Sequence, residues 1–562
     1  MSKFNTIKHN GVLFPEDYQV KGYELADEKL TPLAEEMLFK YSSMKETDYF
    51  KNPLFHKNFY SCLKNELSSK QAKLSFPADF SDLVNKMFDD AQVIKQEKAE
   101  YRKANKEALK KEADERKEKY GFAEVDGKRL PISSPMIEAP SIFIARGASK
   151  LIGYWKYKTN PEDITINYIG DNNAPSAPAG HNWKAVEQNT NNFAIAYYDV
   201  NVGNVYKTHK AIIVGGEIKE NSDEKKFDKA VNLLKNWDKM EAHIEKGLSS
   251  KIAKKSECAL ISWLVKTTGI RVGSYDTEGQ VNENGVVGAS TLRKKNIQIK
   301  DNKIHLNFIG KDSVVFDNAY EAPELVINCL NNKLKNKKAE DKVFTASAND
   351  VSNFLSECVP DTTAKLFRTA WASFLFVEAF KAQNVQKDWP LSKKLRSYDL
   401  ANLEVAKKLN HQKNVGKNFA AQLEKMDDNI SGQQDKIKEL VEKTKADLEK
   451  VKQNIKKLNE KNPVNIKEKK AKLKEKEAKI KLRLEKAKER LESLKDKKDM
   501  KQKTANFALT TSRTNYTSPK LAWSICKDLD IPIEKIYTKS AIKTKMWAEN
   551  TPKDYWRKYP NV

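Results

Sequence analysis

The strongest constraint on the fold is a long charged stretch at residues 417–504, in which apolar residues recur at steps of three, four and seven. Pro463 interrupts the repeat between its two halves. This spacing predicts two long helices with narrow apolar stripes, which can fold back on each other as an antiparallel coiled coil. The abundance of Lys and Glu would equally permit a disordered segment, and the sequence leaves that alternative open.

The remainder of the chain reads as globular protein on both sides of this segment. With 562 residues in all, it is expected to form two to four domains. Frequent Pro and Gly with alternating apolar residues predict strands and loops between 121 and 218, and helical spacing predominates elsewhere. Helices are predicted at 30–41, 50–63, 80–120, 225–269, 354–380 (with a break at Pro360) and 398–409, and strands at 164–167, 193–198, 205–214, 285–292, 297–299 and 303–309.

The charge of the chain favours a polyanionic partner. Its formal net charge is +25, and nucleic acid is the usual partner of so basic a protein. A membrane surface would also attract it, but no run approaches the roughly 18 apolar residues that span a bilayer. Five cysteines lie apart without CxxC spacing, which predicts reduced thiols in an intracellular protein and no zinc site.

Five residues stand in distinctive local sequences along the second half of the chain. They are Arg271 in GIRVG, Lys311 in FIGKDS, Arg368 in AKLFRT, His411 in LNHQ and Tyr516 in SRTNY. Taken singly, each is more often a structural residue: a surface arginine, a turn lysine, a core histidine or a packing tyrosine. Their order and their local sequences are what raise the set above coincidence.

In that order, these sequences resemble the catalytic set of the eukaryotic-type type IB DNA topoisomerases. The resemblance extends over nearly the whole chain and includes GHNWK at 180–184 and PEDI at 161–164. It implies a multidomain α+β protein: a bilobed DNA clamp with a mixed α/β cap lobe and a mostly helical catalytic lobe that shares its fold with tyrosine recombinases. The implied domains are the DNA-binding cap lobe at 1–216, the catalytic core lobe at 217–416, an antiparallel coiled-coil linker at 417–504 and a small helical C-terminal domain with the tyrosine at 505–562.

The same resemblance implies the chemistry of the five residues. Tyr516 would attack a phosphodiester, while Arg271 and Arg368 offer forked donors to the phosphate oxygens. His411 would add a further donor at that phosphate, and Lys311 would protonate the departing sugar oxygen. The DNA contacts implied by the resemblance are Arg146, Asp312, Asn515, Lys365 and Gln412.

The resemblance also implies the activity and its setting. A monomer would nick one strand of duplex DNA, hold its 3′ phosphate on the tyrosine, allow the free end to rotate and reseal the strand. Supercoils of either sign would relax without ATP or an obligatory metal, with divalent cations acting as stimulators only. The expected location is the nucleus, where the enzyme would serve replication and transcription, or a host compartment for a viral member.

Two other readings compete with this one. A tyrosine recombinase would use the same nucleophile, arginines and fold, but such enzymes usually carry His three residues before the second Arg, where this chain has Lys365. They also lack a large cap lobe and a coiled coil. A nonenzymatic DNA-binding coiled-coil protein explains the charge and the repeat, but it leaves the five-residue set unexplained.

Overall fold

The computed structural model describes residues 4–144, 149–171, 173–273, 287–310, 315–413, 415–416, 418–461 and 465–560. The described residues up to Asp223, together with 309 and 310, form one compact unit. Those of 224–273, 287–308 and 315–560 form a second unit, which contains the long charged stretch. Within the part of the chain described here, no helix combines the length and the apolar composition that crossing a bilayer requires.

The first unit combines short strands with helices. Its largest sheet runs β6-β7-β10-β8-β9, with β11 also paired along β10, and a smaller sheet runs β1-β4-β5. The strands are β1 Ile7–His9, β2 Glu24–Leu25, β3 Glu28–Lys29, β4 Phe122–Val125, β5 Lys128–Pro131, β6 Ser141–Ile142, β7 Trp155–Lys156, β8 Ile164–Asn167, β9 Ala185–Glu187, β10 Ala194–Val202 and β11 Tyr206–Ile213. The helices are α1 Pro32–Ser42, α2 Pro53–Leu63, α3 Ser81–Ala104 and α4 Lys106–Tyr120.

Local sequence explains where several of these elements begin and end. Thr31 caps α1 because its hydroxyl accepts a hydrogen bond from the Ala34 amide at 3.2 Å, and Pro32 occupies the first helical position. Gly203 and Asn204 both adopt left-handed backbone in the turn that joins β10 to β11, as a tight hairpin requires. The predictions of helix at 30–41 and of this hairpin are confirmed.

The charged helices of the first unit are mostly solvated. The buried residues of α3 all lie in its first two turns, and α4 has no buried residue. The prediction of helix at 80–120 is confirmed, because α3 and α4 together span 81–120 except for Asn105. These two helices contribute little to the apolar core of the unit. One apolar cluster packs α1, α2 and the start of α3, and a second fills the strands around Ile164, Ile166 and Ile195.

The second unit is mostly helical and carries one small sheet, β12-β13-β14. Its strands are β12 Ile297–Lys300, β13 Lys303–Ile309 and β14 Val315–Glu321. Its helices are α5 Glu217–Lys235 (which begins in the first unit), α6 Trp237–Leu248, α7 Ala253–Thr268, α8 Glu324–Leu334, α9 Ala348–Ser356, α10 Ala364–Lys381, α11 Leu391–Lys408, α12 Phe419–Lys461, α13 Ile466–Lys503, α14 Leu509–Thr511, α15 Pro519–Asp528 and α16 Lys539–Lys543.

One apolar core holds the second unit together. It contains fully buried residues of α7 and α10, such as Leu260 and Phe376, and it also contains Leu521, Ile525 and Trp556 from the end of the chain. The described C-terminal residues therefore fold into the same core as α7 and α10. The domain boundaries expected from the sequence, after 216, 416 and 504, stay predictions.

The prediction of a strand at 285–292 is wrong for residues 287–292, which the structure describes. Residues 285 and 286 lie outside the described part of the chain, and Ala289–Thr291 form a short 3₁₀ turn. The backbone amides of Ala289 and Ser290 donate to the carbonyls of Arg271 and Val272, at 2.8 and 2.6 Å, and not to a neighbouring strand. This local pairing satisfies the backbone without a sheet.

Helices α12 and α13 lie where the apolar repeat predicts them, and they pack antiparallel. Gln433 of α12 donates to the Ala487 carbonyl of α13 at 3.1 Å, whereas Gln422, one end of α12, contacts Lys501, the far end of α13, at 2.6 Å. Residue numbers therefore increase in opposite directions along the two helices, as in an antiparallel pair. Arg396 of α11 joins the end of this pair to the core through ion pairs with Asp496, at 3.1 Å, and Asp499, at 2.6 Å.

Candidate active site

Tyr516 lies at the end of a π-helical turn, Ser512–Tyr516, and its side chain is buried. The Nη1 atom of Arg368, on α10, donates a hydrogen bond to the Tyr516 hydroxyl at 2.9 Å. The other donors of this buried guanidinium bind backbone carbonyls, Nε that of Gly269 at 2.8 Å and Nη2 that of Leu409 at 3.3 Å. One arginine therefore joins the ends of α7 and α11 to the tyrosine.

Gly269 makes this junction possible. It ends α7 with φ at 72°, in the left-handed region that side chains other than glycine rarely adopt. A Cβ atom at this position would lie 2.3 Å from the Lys408 carbonyl oxygen. The absence of a side chain thus lets the ends of α7 and α11 approach closely, with the Gly269 carbonyl free to accept from Arg368.

His411 contacts the tyrosine from the end of α11. The two ring centroids are 5.1 Å apart, and the imidazole is buried. Its backbone is held by hydrogen bonds from its own amide to the Ala406 carbonyl and from the Ala508 amide to its carbonyl, both 2.8 Å. Neither ring nitrogen has a hydrogen-bond partner among the described residues. Buried polar atoms without partners are uncommon and costly, so this imidazole is suited to a ligand.

The charges around the tyrosine favour its phenolate. Burial raises the pKa of Tyr516, but the cations Arg368 and Arg271, the hydrogen bond from Arg368 and the charge of Lys365 outweigh it and bring that pKa below its usual value. The pKa of His411 falls to about 3, first through burial and then through Arg368 and Arg271. At neutral pH the site therefore presents a neutral imidazole beside cationic guanidinium groups.

Arg271 completes this electrostatic group from the segment after α7. Its carbonyl accepts from the Ala289 amide at 2.8 Å, and its side chain is partly exposed. Its charge acts on Tyr516, His411 and Arg368 together. The structure thus brings three of the predicted catalytic residues, Arg271, Arg368 and His411, close to the phenol of a fourth, Tyr516. Lys311 lies outside the described residues, and its role stays a prediction.

The residues predicted to contact DNA have different positions. Lys365 lies on α10, three residues before Arg368, with an exposed side chain. Asn515, next to Tyr516, is exposed, and exposed Gln412 donates to the Asn410 side chain at 2.8 Å. Arg146 and Asp312 lie outside the described part of the chain. Their contacts with DNA, like those of the three residues just described, remain predictions.

Several polar residues near the tyrosine were not foreseen from the sequence. Ser373 of α10 donates to the Tyr516 carbonyl at 3.2 Å, and Asn402 of α11 accepts from the Ser512 hydroxyl at 2.9 Å. Arg513 pairs with Asp399 of α11. Ser512 and Arg513 belong to the tyrosine's own local sequence and could have been considered. Ser373 and Asn402 carry no signal beyond being polar residues on otherwise apolar helix faces.

The arrangement is suited to an anionic substrate. A phenol with a lowered pKa, forked guanidinium donors and an unpartnered imidazole can together bind a phosphate group and attack its phosphorus atom. Across the described residues, no group of three or more His, Cys, Asp or Glu side chains is placed to hold a metal ion.

Three models of known protein families match successive segments of the chain. The model of the eukaryotic DNA topoisomerase I DNA-binding fragment matches residues 2–212, that of the eukaryotic DNA topoisomerase I catalytic core matches 215–444, and that of a C-terminal topoisomerase domain matches 488–557. These three segments cover most of the chain and include Arg271, Arg368, His411 and Tyr516.

Individual relatives agree with the family models. DNA topoisomerase 1 alpha of Arabidopsis thaliana is 30% identical over 98% of this chain and 59% of its own length. The mitochondrial DNA topoisomerase I of Rattus norvegicus is 26% identical over 98% of this chain and 91% of its own length, and DNA topoisomerase 1 of Mus musculus is 28% identical over 98% and 71%. The chain thus spans about three fifths of the length of the Arabidopsis relative.

Proposed function

Because the chain belongs to the eukaryotic DNA topoisomerase I family, we propose that it is a type IB DNA topoisomerase. It nicks one strand of duplex DNA, stores the bond as a 3′-phosphotyrosyl ester on Tyr516, lets the free end rotate and reseals the strand. Positive and negative supercoils both relax. The number of phosphoester bonds is unchanged at each step, so the reaction needs neither ATP nor an obligatory metal.

The observation that carries this proposal is the hydrogen bond from Arg368 to the Tyr516 hydroxyl. A packing tyrosine in a buried site has a raised pKa, because burial disfavours the phenolate. That is the case for every other tyrosine among the described residues whose pKa shift is resolved, including Tyr398 and Tyr537. Tyr516 differs because cations surround its hydroxyl, which is what a nucleophile needs.

In the proposed cleavage step, the Tyr516 oxygen forms a bond to phosphorus and the bond from phosphorus to the 5′ oxygen breaks. The phenol proton passes to water, and the departing 5′ oxygen takes a proton from the ammonium group of Lys311. Arg271, Arg368 and His411 donate to the nonbridging oxygens, where negative charge accumulates. Neutral His411 can serve because either tautomer of imidazole carries one N–H donor. Religation is the reverse sequence.

The proposal extends to the partner and its setting. The enzyme acts as a monomer that clamps duplex DNA, with α12 and α13 as a linker. Arg146, Asp312, Asn515, Lys365 and Gln412 contact the DNA near the cleavage site. The proposed location is the nucleus, although some relatives carry mitochondrial names.

The proposal is tested by relaxation of a supercoiled plasmid in EDTA. Wild-type protein is expected to relax the plasmid and, when denatured with SDS during the reaction, to yield a covalent adduct between Tyr516 and a DNA 3′ end. Tyr516→Phe should bind DNA but neither relax it nor form the adduct. The control is Tyr320→Phe, which changes a tyrosine of the same unit and should react normally. Relaxation by Tyr516→Phe would contradict the proposal.

A further inference from the structure

We infer that five side chains, Ser373, Asp399, Asn402, Ser512 and Arg513, form a positioning frame that fixes the direction in which the Tyr516 phenol points. None of them reaches the phenol oxygen itself, so they are positioning residues and act through the turn that carries it. The inference rests on the proposed function, since it concerns the geometry of that reaction. We call these five residues the nucleophile frame.

The turn that carries Tyr516 needs outside support. It is π-helical, and the Thr517 amide donates to the Ser512 carbonyl at 3.0 Å across five residues. A π turn is wider than an α-helical turn, is rare as an isolated element and is found mainly at functional sites. Its conformation therefore depends on contacts from neighbouring elements.

One set of contacts reaches the start of the turn from α11. Asn402 and Ser512 are both fully buried, and the Ser512 hydroxyl lies 2.9 Å from the Asn402 side-chain oxygen. The Asn402 amide group donates to the Leu509 carbonyl at 3.0 Å, one turn before the π turn. One asparagine thus holds both the entry to the turn and its first residue.

A second contact from α11 is an ion pair one helical turn away. Asp399 precedes Asn402 by three residues, so both lie on the same side of α11, and its carboxylate pairs with Arg513. The Arg513 guanidinium also donates to the Ile536 carbonyl at 3.0 Å and lies 5.6 Å from the Tyr398 ring. Arg513 is therefore held on three sides, and it stands three residues before the nucleophile.

The end of the turn is held by α10. Ser373 is fully buried, donates to the Tyr516 carbonyl at 3.2 Å and accepts from the Ser518 amide at 3.1 Å. The same helix carries Arg368, which contacts the Tyr516 hydroxyl. Helix α10 therefore contacts this tyrosine at both ends, at its backbone and at its phenol. The distance between those two contacts is set by the rigid helix.

The electrostatics of the Asp399–Arg513 pair favour this role. Burial raises the pKa of Asp399, while the charge and hydrogen bond of Arg513 oppose the rise. The cations that lower the pKa of Tyr516 most are Arg368, Arg271 and Lys365. Loss of the pair should therefore reach the phenol through its position, and not through a direct loss of positive charge beside it.

The experiment measures cleavage of a nicked suicide duplex at saturating DNA, DNA affinity and thermal unfolding for each variant. The variants are Asp399→Asn, Arg513→Met, Arg513→Lys and the double variant Asp399→Asn with Arg513→Met. The matched control is Arg557→Gln, which breaks an ion pair of the same kind, with Asp528 at 2.8 Å, elsewhere in the C-terminal segment.

We expect Arg513→Met to cleave about 10- to 100-fold more slowly at saturating DNA, because a misplacement of about 1 Å can cost 100-fold. DNA affinity and the fraction of folded protein should be unchanged. Arg513→Lys should lie between Arg513→Met and wild type, because it keeps the charge. The double variant should cleave at most about twofold more slowly than Arg513→Met, because the effects of two substitutions within one ion pair are not additive. Arg557→Gln should match wild type.

The pH dependence of cleavage separates positioning from loss of folded protein. A phenol displaced from Arg368 loses part of what lowers its pKa, so the rise of the rate with pH should move to higher pH in Asp399→Asn. If Asp399→Asn acted only by removing a negative charge near Arg368, Arg271, His411 and Lys365, the rise of the rate would instead move to lower pH. A smaller folded fraction would lower the rate equally at every pH.

Failure of the inference differs from failure of the proposed function. If wild-type protein forms no adduct, the proposed function is wrong. If wild-type protein reacts and Asp399→Asn and Arg513→Met cleave as fast as it does with the same pH dependence, the nucleophile frame is wrong. Effects of the two substitutions that multiply in the double variant would also overturn the pairing of Asp399 with Arg513.

Discussion

At the scale of single residues, His411 combines a buried side chain with ring nitrogens that lack a hydrogen-bond partner among the described residues. Burial with two nearby arginines brings its pKa to about 3. The same residue in the unfolded chain has a pKa near 6.5. The folded protein therefore binds fewer protons here than the unfolded chain between these two values.

This difference predicts a pH-dependent cost of His411 in the DNA-free protein. Its folded pKa is depressed, so as pH falls below about 6.5 the unfolded chain gains a proton that the folded protein excludes, and stability is lost down to about pH 3. From pH 7 to pH 5 the loss should be about 2 kcal/mol. His411→Gln should remove it, as judged by urea unfolding at both pH values. The control is His305→Gln, at a partly exposed histidine of β13 that pairs with Asp317 at 2.7 Å. An equal pH dependence in His411→Gln and wild type would contradict this prediction.

Site residues that stand in a distinctive local sequence could be predicted, whereas site residues without such a sequence could not. Arg368 and Tyr516 stand in distinctive sequences, and the structure places them 2.9 Å apart. Ser373 and Asn402 are single polar residues in helices, and only the packing of α10 and α11 against the π turn gives them a partner. Such pairings join residues more than one hundred positions apart, so no local pattern records them.

At the scale of elements, the two long helices differ in charge. Helix α13 carries roughly twice as many basic residues as acidic ones, whereas α12 is almost balanced. Most of these side chains are exposed, and the pair is held by few buried residues, among them Val451 and Ile480. The excess charge therefore faces solvent mainly on one of the two helices, which makes α13 the better surface for DNA phosphates.

This asymmetry predicts a different salt dependence for matched substitutions. Lys474→Gln with Lys488→Gln on α13 should lower the slope of log affinity against log salt by about 1 to 2, because each phosphate contact releases counterions. Lys443→Gln with Lys450→Gln on α12 removes the same charge from exposed positions and should change the slope less. Binding of Tyr516→Phe to a short duplex at several salt concentrations measures this. Equal slopes for the two pairs would refute the assignment to α13.

Elements were predicted best where a strong pattern marked them. Thr31-Pro32 marked the start of α1, and Gly269 marked the end of α7. Helix α11 begins at Leu391, directly after Pro390 and seven residues before its predicted start. The segment at 287–292 was expected to be a strand, but its amides pair with the residues that follow α7.

At the scale of the whole molecule, the charge of +25 and the family assignment both indicate contact with the DNA backbone. Contacts to phosphates fix position but carry little sequence information. Affinity should therefore fall steeply with salt and vary little with sequence. On the proposed function, the buried site would supply the chemistry and the basic surface most of the binding.

This division predicts the DNA binding of Tyr516→Phe, which lacks the proposed nucleophile. Its affinity for duplexes of unrelated sequence should differ by less than about tenfold, whereas raising salt from 50 to 200 mM should cost about 1,000-fold or more, as for proteins with many phosphate contacts. Titration of labelled duplexes at both salt concentrations measures the two effects. A strong preference for one sequence together with a shallow salt dependence would contradict it.

The shared core of the second unit also determines how two fragments of this polypeptide would behave. Leu521, Ile525 and Trp556 pack among residues of α7 and α10, although the whole length of α12 and α13 separates them in the chain. Packing of these side chains therefore holds the C-terminal segment against the rest of the second unit. Two fragments of the chain divided between α12 and α13 would thus be complementary parts of that unit, and Arg368 and Tyr516 would meet only when the fragments associate.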